Sequence, residues 1–179
     1  ADWIVEYNTN ITGTSSANKD TVAEIQALVD QVNNTAITTA SSAADTVAKQ
    51  NAVTELIKKY TADDVAPSTT KAAAIKASEI KSAAFGVKEA NTAAAVYNAL
   101  VKLSSLDSAN LPANSLNANN KAEYFSAKKL YNFTSVATAD VKAGVVDAGN
   151  TTALNAALTA IDGITSTTET TKVKAELQK

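Results

Sequence analysis

Thr21-Val22-Ala23-Glu24-Ile25-Gln26-Ala27-Leu28-Val29-Asp30-Gln31-Val32-Asn33-Asn34-Thr35 is the stretch on which the reading of the chain turns. Its apolar residues recur at alternating steps of three and four, through Val22, Ile25, Val29, Val32 and Ala36, while Glu24, Asp30 and Gln31 lie off that line. That spacing predicts an amphipathic helix with one narrow apolar stripe. Thr21-x-x-Glu24 fits a capping box at its start, and the helix is expected to fade near residues 39–42. The end of the stretch then recurs. Asn34-Thr35 returns as Asn91-Thr92 and Asn150-Thr151, 57 and 59 residues further on, each time after an amphipathic segment. These recurrences predict a degenerate repeat of about 58 residues.

Working outward, residues 1–8 read as the end of a helix with Trp3, Ile4 and Tyr7 on one face, broken by the polar run 8–18. Downstream, Asp45 or Thr46 starts a helix with Val53, Leu56, Ile57 and Tyr60 inward, and residues 63–68, with Pro67, stop it. Residues 69–106 are expected to be helical almost without interruption, with Gly86 as the soft point. Residues 107–120 form a loop whose Leu111 and Leu116, with Leu106, tuck back onto the helices. A helix over 121–131 carries Tyr124, Phe125, Leu130 and Tyr131. A last long helix runs from about Ala139 across Gly149-Asn150 to Asp162, weakened by Gly144 and Gly149. Residues 168–179 begin another helix with Val173 and Leu177.

The pattern predicts an all-α chain of tandem three-helix bundles, spectrin-like, elongated, sharing continuous helices through the Asn-Thr joints. The expected domains are 1–90, a first repeat with a truncated preceding helix; 91–149, a second; and 150–179, the start of a third. A lone amphipathic helix is marginal in water, so each stripe needs neighbours. Alanine-rich contacts bury little area each, and at about 25 cal/mol per Å² they imply modest stability per repeat. Ala1-Asp2-Trp3-Ile4 lines up with Ala122-Glu123-Tyr124-Phe125, and the start lacks the basic region of a signal peptide. A segment of a longer repetitive chain is therefore expected.

Composition narrows the chemistry. The formal net charge is −2, all 16 basic residues are Lys, and the chain has no His, Cys or Met. Without Arg, the bidentate contacts typical of phosphate and base edges are missing, which argues against a nucleic-acid partner. Without His and Cys there is no imidazole or thiolate metal site, no Cys nucleophile and no Ser-His triad. No apolar run approaches the length of about 20 residues that spans a bilayer, so no membrane insertion is expected. Ser78 and Lys81 have a Ser-x-x-Lys spacing, which is common by chance in a Ser/Lys-rich helix. Asp63-Asp64 lacks the spaced oxygen ligands of a calcium loop. The sequons at Asn10, Asn132 and Asn150 are assigned no role. We accordingly expect no enzyme activity, no catalytic residue, no cofactor and no metal. Trp3, Tyr7, Asn117 and Asn119 remain as candidate ligand or partner contacts: two aromatics near the start and an Asn-rich loop. Core packing accounts for most of the aromatics at helical spacing, and turn chemistry accounts for the loop.

Residues 21–34 and 91–100, with 138–158 as a weaker copy, resemble helical repeats of Gram-positive surface proteins, including surface-layer (S-layer) and wall-anchored proteins. The resemblance implies a secreted, extracellular helical spacer at the cell wall, whose partners are other copies of the parent protein, its neighbouring domains or cell-wall polymer. A binding module for wall polysaccharide or a host protein is the alternative. The sequence carries neither an S-layer homology motif nor an LPxTG-like signal, so anchoring would lie elsewhere in such a parent.

Overall fold

The computed structural model describes residues 4–61 and 69–162. Every regular element among them is helical: α1 (Ile4–Gly13), α2 (Val22–Ala43), α3 (Val47–Tyr60), α4 (Thr69–Glu89), α5 (Ala93–Leu106), α6 (Lys121–Leu130), α7 (Thr138–Val141) and α8 (Ala148–Asp162). A π-helical stretch, Lys142–Asp147, joins α7 to α8. The chain forms two compact units, Ala1–Glu79 and Ile80–Lys179, and the boundary in sequence falls inside α4. The boundaries expected after residues 90 and 149 fall just past the end of α4 and inside α8. The expected stop at 63–68 and the expected helix at 168–179 lie outside the described residues.

In the first unit the capping box forms as the sequence predicts. Thr21 Oγ1 accepts the Glu24 backbone N–H at 3.2 Å, and the Glu24 carboxylate accepts the Thr21 N–H at 3.0 Å. These bonds satisfy two donors that a helix start otherwise leaves open. The hydrogen bond from the Thr21 side chain is the main reason the Glu24 carboxyl sits below its usual pKa. The expected apolar stripe is corrected: Val22 and Ile25 are exposed, at 86% and 40%, and the one buried residue of α2 is Asn33. The later stripe residues Val29, Val32 and Ala36 are half-buried, and the packing is densest nearer the C-terminal end, where Ile37 and Ala40, with Ala44 just beyond the helix, meet Val53 and Ile57 of α3 and Ala74 and Ile75 of α4. α1 also runs further than expected, through the polar run to Gly13. Its amides are anchored: Asn10 Nδ2 donates to Leu28 O at 2.9 Å, and the Thr12 and Thr14 hydroxyls donate to carbonyls four residues back.

The core of the second unit gathers Ala83, Ala84 and Val87 of α4, Val96, Leu100 and Leu103 of α5, Leu111 of the loop, Tyr124 of α6, and Val141, Val145 and Val146. Leu106 and Leu116 pack against it, as expected, whereas Leu130 is 87% exposed and takes no part. The expected unbroken helix over 69–106 is corrected at Asn91-Thr92. There Thr92 is extended (φ −135°, ψ 156°) and its Oγ1 accepts the Ala95 N–H at 3.1 Å. The break has a geometric cause. Val87 and Val96 are nine residues apart, about two and a half turns, so on one straight helix they would face opposite ways. Stopping and restarting lets both reach one core.

The same joint occurs between α2 and α3, where Thr46 (φ −136°, ψ 160°) caps through Lys49 N–H. Asn91-Thr92 is thus the counterpart of Asp45-Thr46, and not of the other two Asn-Thr pairs, which sit inside helices. At those two the threonine hydroxyl donates to the carbonyl four residues back, Thr35 to Gln31 and Thr151 to Asp147. A uniform 58-residue period therefore does not describe the chain.

Aligning the two joints pairs Gln50, Thr54 and Ile57 of α3 with Val96, Leu100 and Leu103 of α5, all buried. Where the second unit has Val96 and Leu100, the first has a buried polar set: Gln50 Nε2 donates to Ser78 Oγ at 2.7 Å, and Ser78 and Thr54 hydroxyls share a bond of 2.8 Å. Satisfied buried hydrogen bonds add roughly 1 kcal/mol each, against about 1.5–3 kcal/mol for a fully buried aliphatic side chain. This balance predicts that the first unit is the less stable. Amide exchange is expected to protect the α5 amides more than those of α3; equal protection would remove this ranking.

The glycines give a second test. A Cβ at Gly86 would meet only Ala99 Cβ, at 3.8 Å, an ordinary contact. Gly86→Ala should raise stability by about 0.5–1 kcal/mol in denaturant titration. At Gly149 a Cβ would lie 2.5 Å from Tyr124 Cδ1, 3.1 Å from Tyr124 N and 3.2 Å from Glu123 C. The α6 backbone cannot yield there without cost, so Gly149→Ala should destabilise by about 1–3 kcal/mol.

Candidate functional site

The most developed polar constellation lies in the second unit, where α6 and α8 hold the loop 107–120. Tyr124 is wholly buried, and its hydroxyl donates to Asn150 Oδ1 at 2.7 Å. The same oxygen accepts Asn120 Nδ2 at 2.9 Å, and Asn150 Nδ2 donates to Ser115 O at 3.0 Å. Asn117 N–H donates to the Tyr124 hydroxyl at 2.8 Å. Every polar atom of the Asn150 amide oxygen and of the phenol thereby faces a partner. Burial is the main cause that holds the Tyr124 phenol above its ordinary pKa, although bonds from Asn117, Asn120 and Asn150 pull the other way.

The first unit repeats the arrangement. The Tyr7 hydroxyl donates to Asn33 Oδ1, and Asn33 Nδ2 donates to Tyr60 O at 3.3 Å. Both tyrosine–asparagine pairs are 26 residues apart in sequence, and the two pairs are 117 residues apart. Tyr7, not Trp3, is therefore the counterpart of Tyr124, and Asn33, not Asn34, that of Asn150. The connection from Tyr124 to the helix cap at Ala137 is one residue shorter than that from Tyr7 to Thr21. The helix beyond it is one residue longer before the asparagine. The π turn of Lys142–Asp147 takes up that extra residue, so Asn150 still faces Tyr124.

The four residues singled out from the sequence resolve as follows. Trp3 lies outside the described residues. Tyr7 is turned to Asn33 in the first unit. Asn117 and Asn119 belong to the second, where Asn117 Oδ1 accepts the Asn119 N–H at 2.9 Å in a turn closed by its own side chain. Asn117 and Tyr7 thus act in internal hydrogen bonds, each in its own unit. Periodicity did not disclose Asn33, Asn120, Tyr124 and Asn150 as a set, because polar partners 26 residues apart leave no helical signature. One signal was present: Glu6-Tyr7 recurs as Glu123-Tyr124, with an asparagine 26 residues after each tyrosine.

Aromatic rings elsewhere in the second unit pack on the core, not on a platform. Tyr97 stacks parallel to Tyr124 with centroids 6.5 Å apart, and Tyr131 meets Phe133 edge-on at 4.5 Å. Lys121 lies 5.0 Å over Tyr97 and Lys129 4.1 Å over Phe125. A groove of about 900 Å³ lies between α1 and α2 of the first unit, lined by residues such as Val5, Glu6, Thr9, Val32, Thr35 and Thr39. Among the described residues no group of three acidic, His or Cys side chains converges, and no helix is long and apolar enough to cross a membrane.

No protein-family model matches this chain, and neither does any curated protein or solved structure.

Replacing Tyr124 tests the constellation. Tyr124→Phe removes the hydroxyl that accepts the Asn117 N–H and the bond it donates to Asn150, so a loss of about 1–3 kcal/mol is expected in chemical denaturation. The raised phenol pKa also sets a pH window. Its contribution is full below the unfolded value of about 10 and is lost as pH rises through the higher folded value. Tyr124→Phe should therefore lose less stability than the parent above pH of about 10; parallel alkaline curves would show that the phenol is not coupled to folding.

Proposed function

We propose that this chain is a structural or assembly segment of an extracellular bacterial surface protein, of the S-layer or wall-anchored kind, acting as a helical spacer built from tandem three-helix bundles. The observation that carries the reading is the tyrosine–asparagine bond made twice at the same separation, once in each unit. Recurring local modules that bury their faces against neighbours are the construction of spacer and array proteins. The two capped joints at Thr46 and Thr92, and a helix that takes part in both units, support the same reading. The location at the cell wall and the partners (other copies of the parent, its neighbouring domains, or wall polymer) rest on the resemblance of residues 21–34, 91–100 and 138–158. The composition adds that His, the usual activating base, and Cys, a common nucleophile, are both absent from the sequence, in keeping with a non-enzymatic role.

The second reading is a binding module for wall polysaccharide or a protein partner. The groove between α1 and α2 favours it, since its lining of small aliphatic and hydroxyl side chains suits an extended or helical ligand. Two measurements separate the readings. Small-angle scattering of an elongated spacer should give a radius of gyration well above the roughly 16 Å of a compact globule of this length, and a value at that figure rejects the spacer. On purified cell wall the spacer alone should flow through. Retention that Thr35→Trp abolishes, by filling the groove, would replace the spacer with the binding module.

A further inference from the structure

The first half of α2 carries the same apolar positions as α7 and the π turn, but not their burial. Counting forward from the caps Thr21 and Ala137, Val22 and Ile25 match Thr138 and Val141. Counting back from Asn33 and Asn150, Leu28 and Val29 match Val145 and Val146. Thr138 is buried and the three valines completely so, whereas Val22 is 86% and Ile25 40% exposed, and Leu28 and Val29 are half-buried. Tyr124 is likewise wholly buried and Tyr7 half-buried. In the second unit the cover comes from the end of α4 and from α5. Val87, Val96, Leu100 and Leu103 share one cluster with Tyr124 and the three valines, and Tyr97 stacks on the Tyr124 ring. In the first unit α3 ends level with Asn33, whose amide donates to the Tyr60 carbonyl, so the α2 residues before Asn33 lie beyond its end.

We propose that Tyr7, Val22, Ile25, Leu28 and Val29 form the docking surface for an amphipathic helical hairpin of the α4–α5 kind, supplied by a preceding module of a longer chain in the order in which α4 and α5 precede α6. The inference rests on the modular reading above and deepens it. The occupant's chemistry follows from the second unit: aliphatic side chains in the places of Val87, Val96, Leu100 and Leu103, and a ring in the place of Tyr97 against the tyrosine. Side-chain size agrees. Ile25 is larger than Val141, and Val22 puts an apolar group where Thr138 has a hydroxyl, so this face has at least as much apolar surface to cover as its buried counterpart. Ile4, 68% exposed, stands at the position of Lys121, which lies 5.0 Å over Tyr97. An aliphatic side chain there meets the partner's ring by apolar contact where the second unit uses a cation. Single exposed apolar residues are ordinary, but a face of them matched position by position to a buried set marks a contact surface.

Joining a second copy of residues 80–117 to Ala1 tests this, because it sets the added α5 as far before Tyr7 as α5 stands before Tyr124. Amide exchange over residues 22–29 should slow about tenfold in the extended chain. The slowing should vanish when Val96→Asp and Leu100→Asp are placed in the added copy alone, and slowing that survives them overturns the proposal. The free peptide 80–117, in excess over the unextended full chain, gives a second measurement that does not depend on the extension folding. It should slow the same amides in the unaltered chain and not in the chain carrying Val22→Asp with Ile25→Asp. Exchange over 22–29 that neither the extension nor the peptide changes overturns the proposal. Slowing that grows with the concentration of the unextended chain on its own overturns it in favour of a second copy on this face. Scattering decides the spacer separately: a compact radius of gyration rejects that reading, whereas these amides report only whether such a hairpin covers the face.

Discussion

An asparagine amide with a phenol pointed at it, buried at Asn33 and half-buried at Asn150, is the constraint on which both units depend. An asparagine inside a helix bundle is costly unless its oxygen and nitrogen are both answered, and the answer must come from fixed places. At Asn150 it comes from three directions: the phenol of α6, the amide of Asn120, and the Ser115 carbonyl of the loop. Apolar contacts alone tolerate sliding by a turn, since one alanine-rich face resembles the next. A polar pair that pairs in a single register does not, and in a chain this poor in large side chains it supplies the discrimination that shape would otherwise give.

Around that constraint the two units differ in what fills them. α5 brings Val96, Leu100 and Leu103 to the second core, which the Tyr124 ring and three valines complete. α3 brings Gln50 and Thr54 to the equivalent places, where Ser78 of α4 bonds the Gln50 amide nitrogen and the Thr54 hydroxyl, while Gln50 Oε1 is buried without a hydrogen-bond partner among the described residues. Glycine is used in the opposite sense to its usual weakness. Gly144 and Gly149 lower helix propensity, yet the rings of Tyr131 and Tyr124 press against those positions so closely that no side chain fits. What the helix loses in backbone entropy is offset by the approach of an aromatic ring.

The elements that local chemistry dictates were legible from the residues. The capping box at Thr21 and Glu24, the start of α3 at Thr46, the loop with its inward Leu111, and the long helix through Asn150 follow from caps and periodicity. The break at Asn91-Thr92 was legible in principle, because the apolar stripe changes phase by half a turn between Val87 and Val96, but alanines on every side mask the shift. The buried face of α2 was read from its larger side chains, and two of these, Val22 and Ile25, face outward. The tyrosine–asparagine pairs belong to a different class. Their partners are far apart and polar, so the recurrence of Glu-Tyr with an asparagine 26 residues on passes unnoticed beside the conspicuous Asn-Thr dipeptides until the fold shows that Asn33 corresponds to Asn150 and that those dipeptides are not equivalent to one another.

The π-helical stretch before α8 has an evolutionary implication. A single added codon in a straight helix rotates everything beyond it by about 100° and scrambles which residues face inward. Here the wide turn at Lys142–Asp147, tied by Lys142 to the Asp147 carboxylate at 2.8 Å, isolates the addition and hands the following residues back in phase. A lineage built from such modules can thus accept length changes one residue at a time, with the mismatch parked in one swollen turn while the rest of the molecule keeps its alignment.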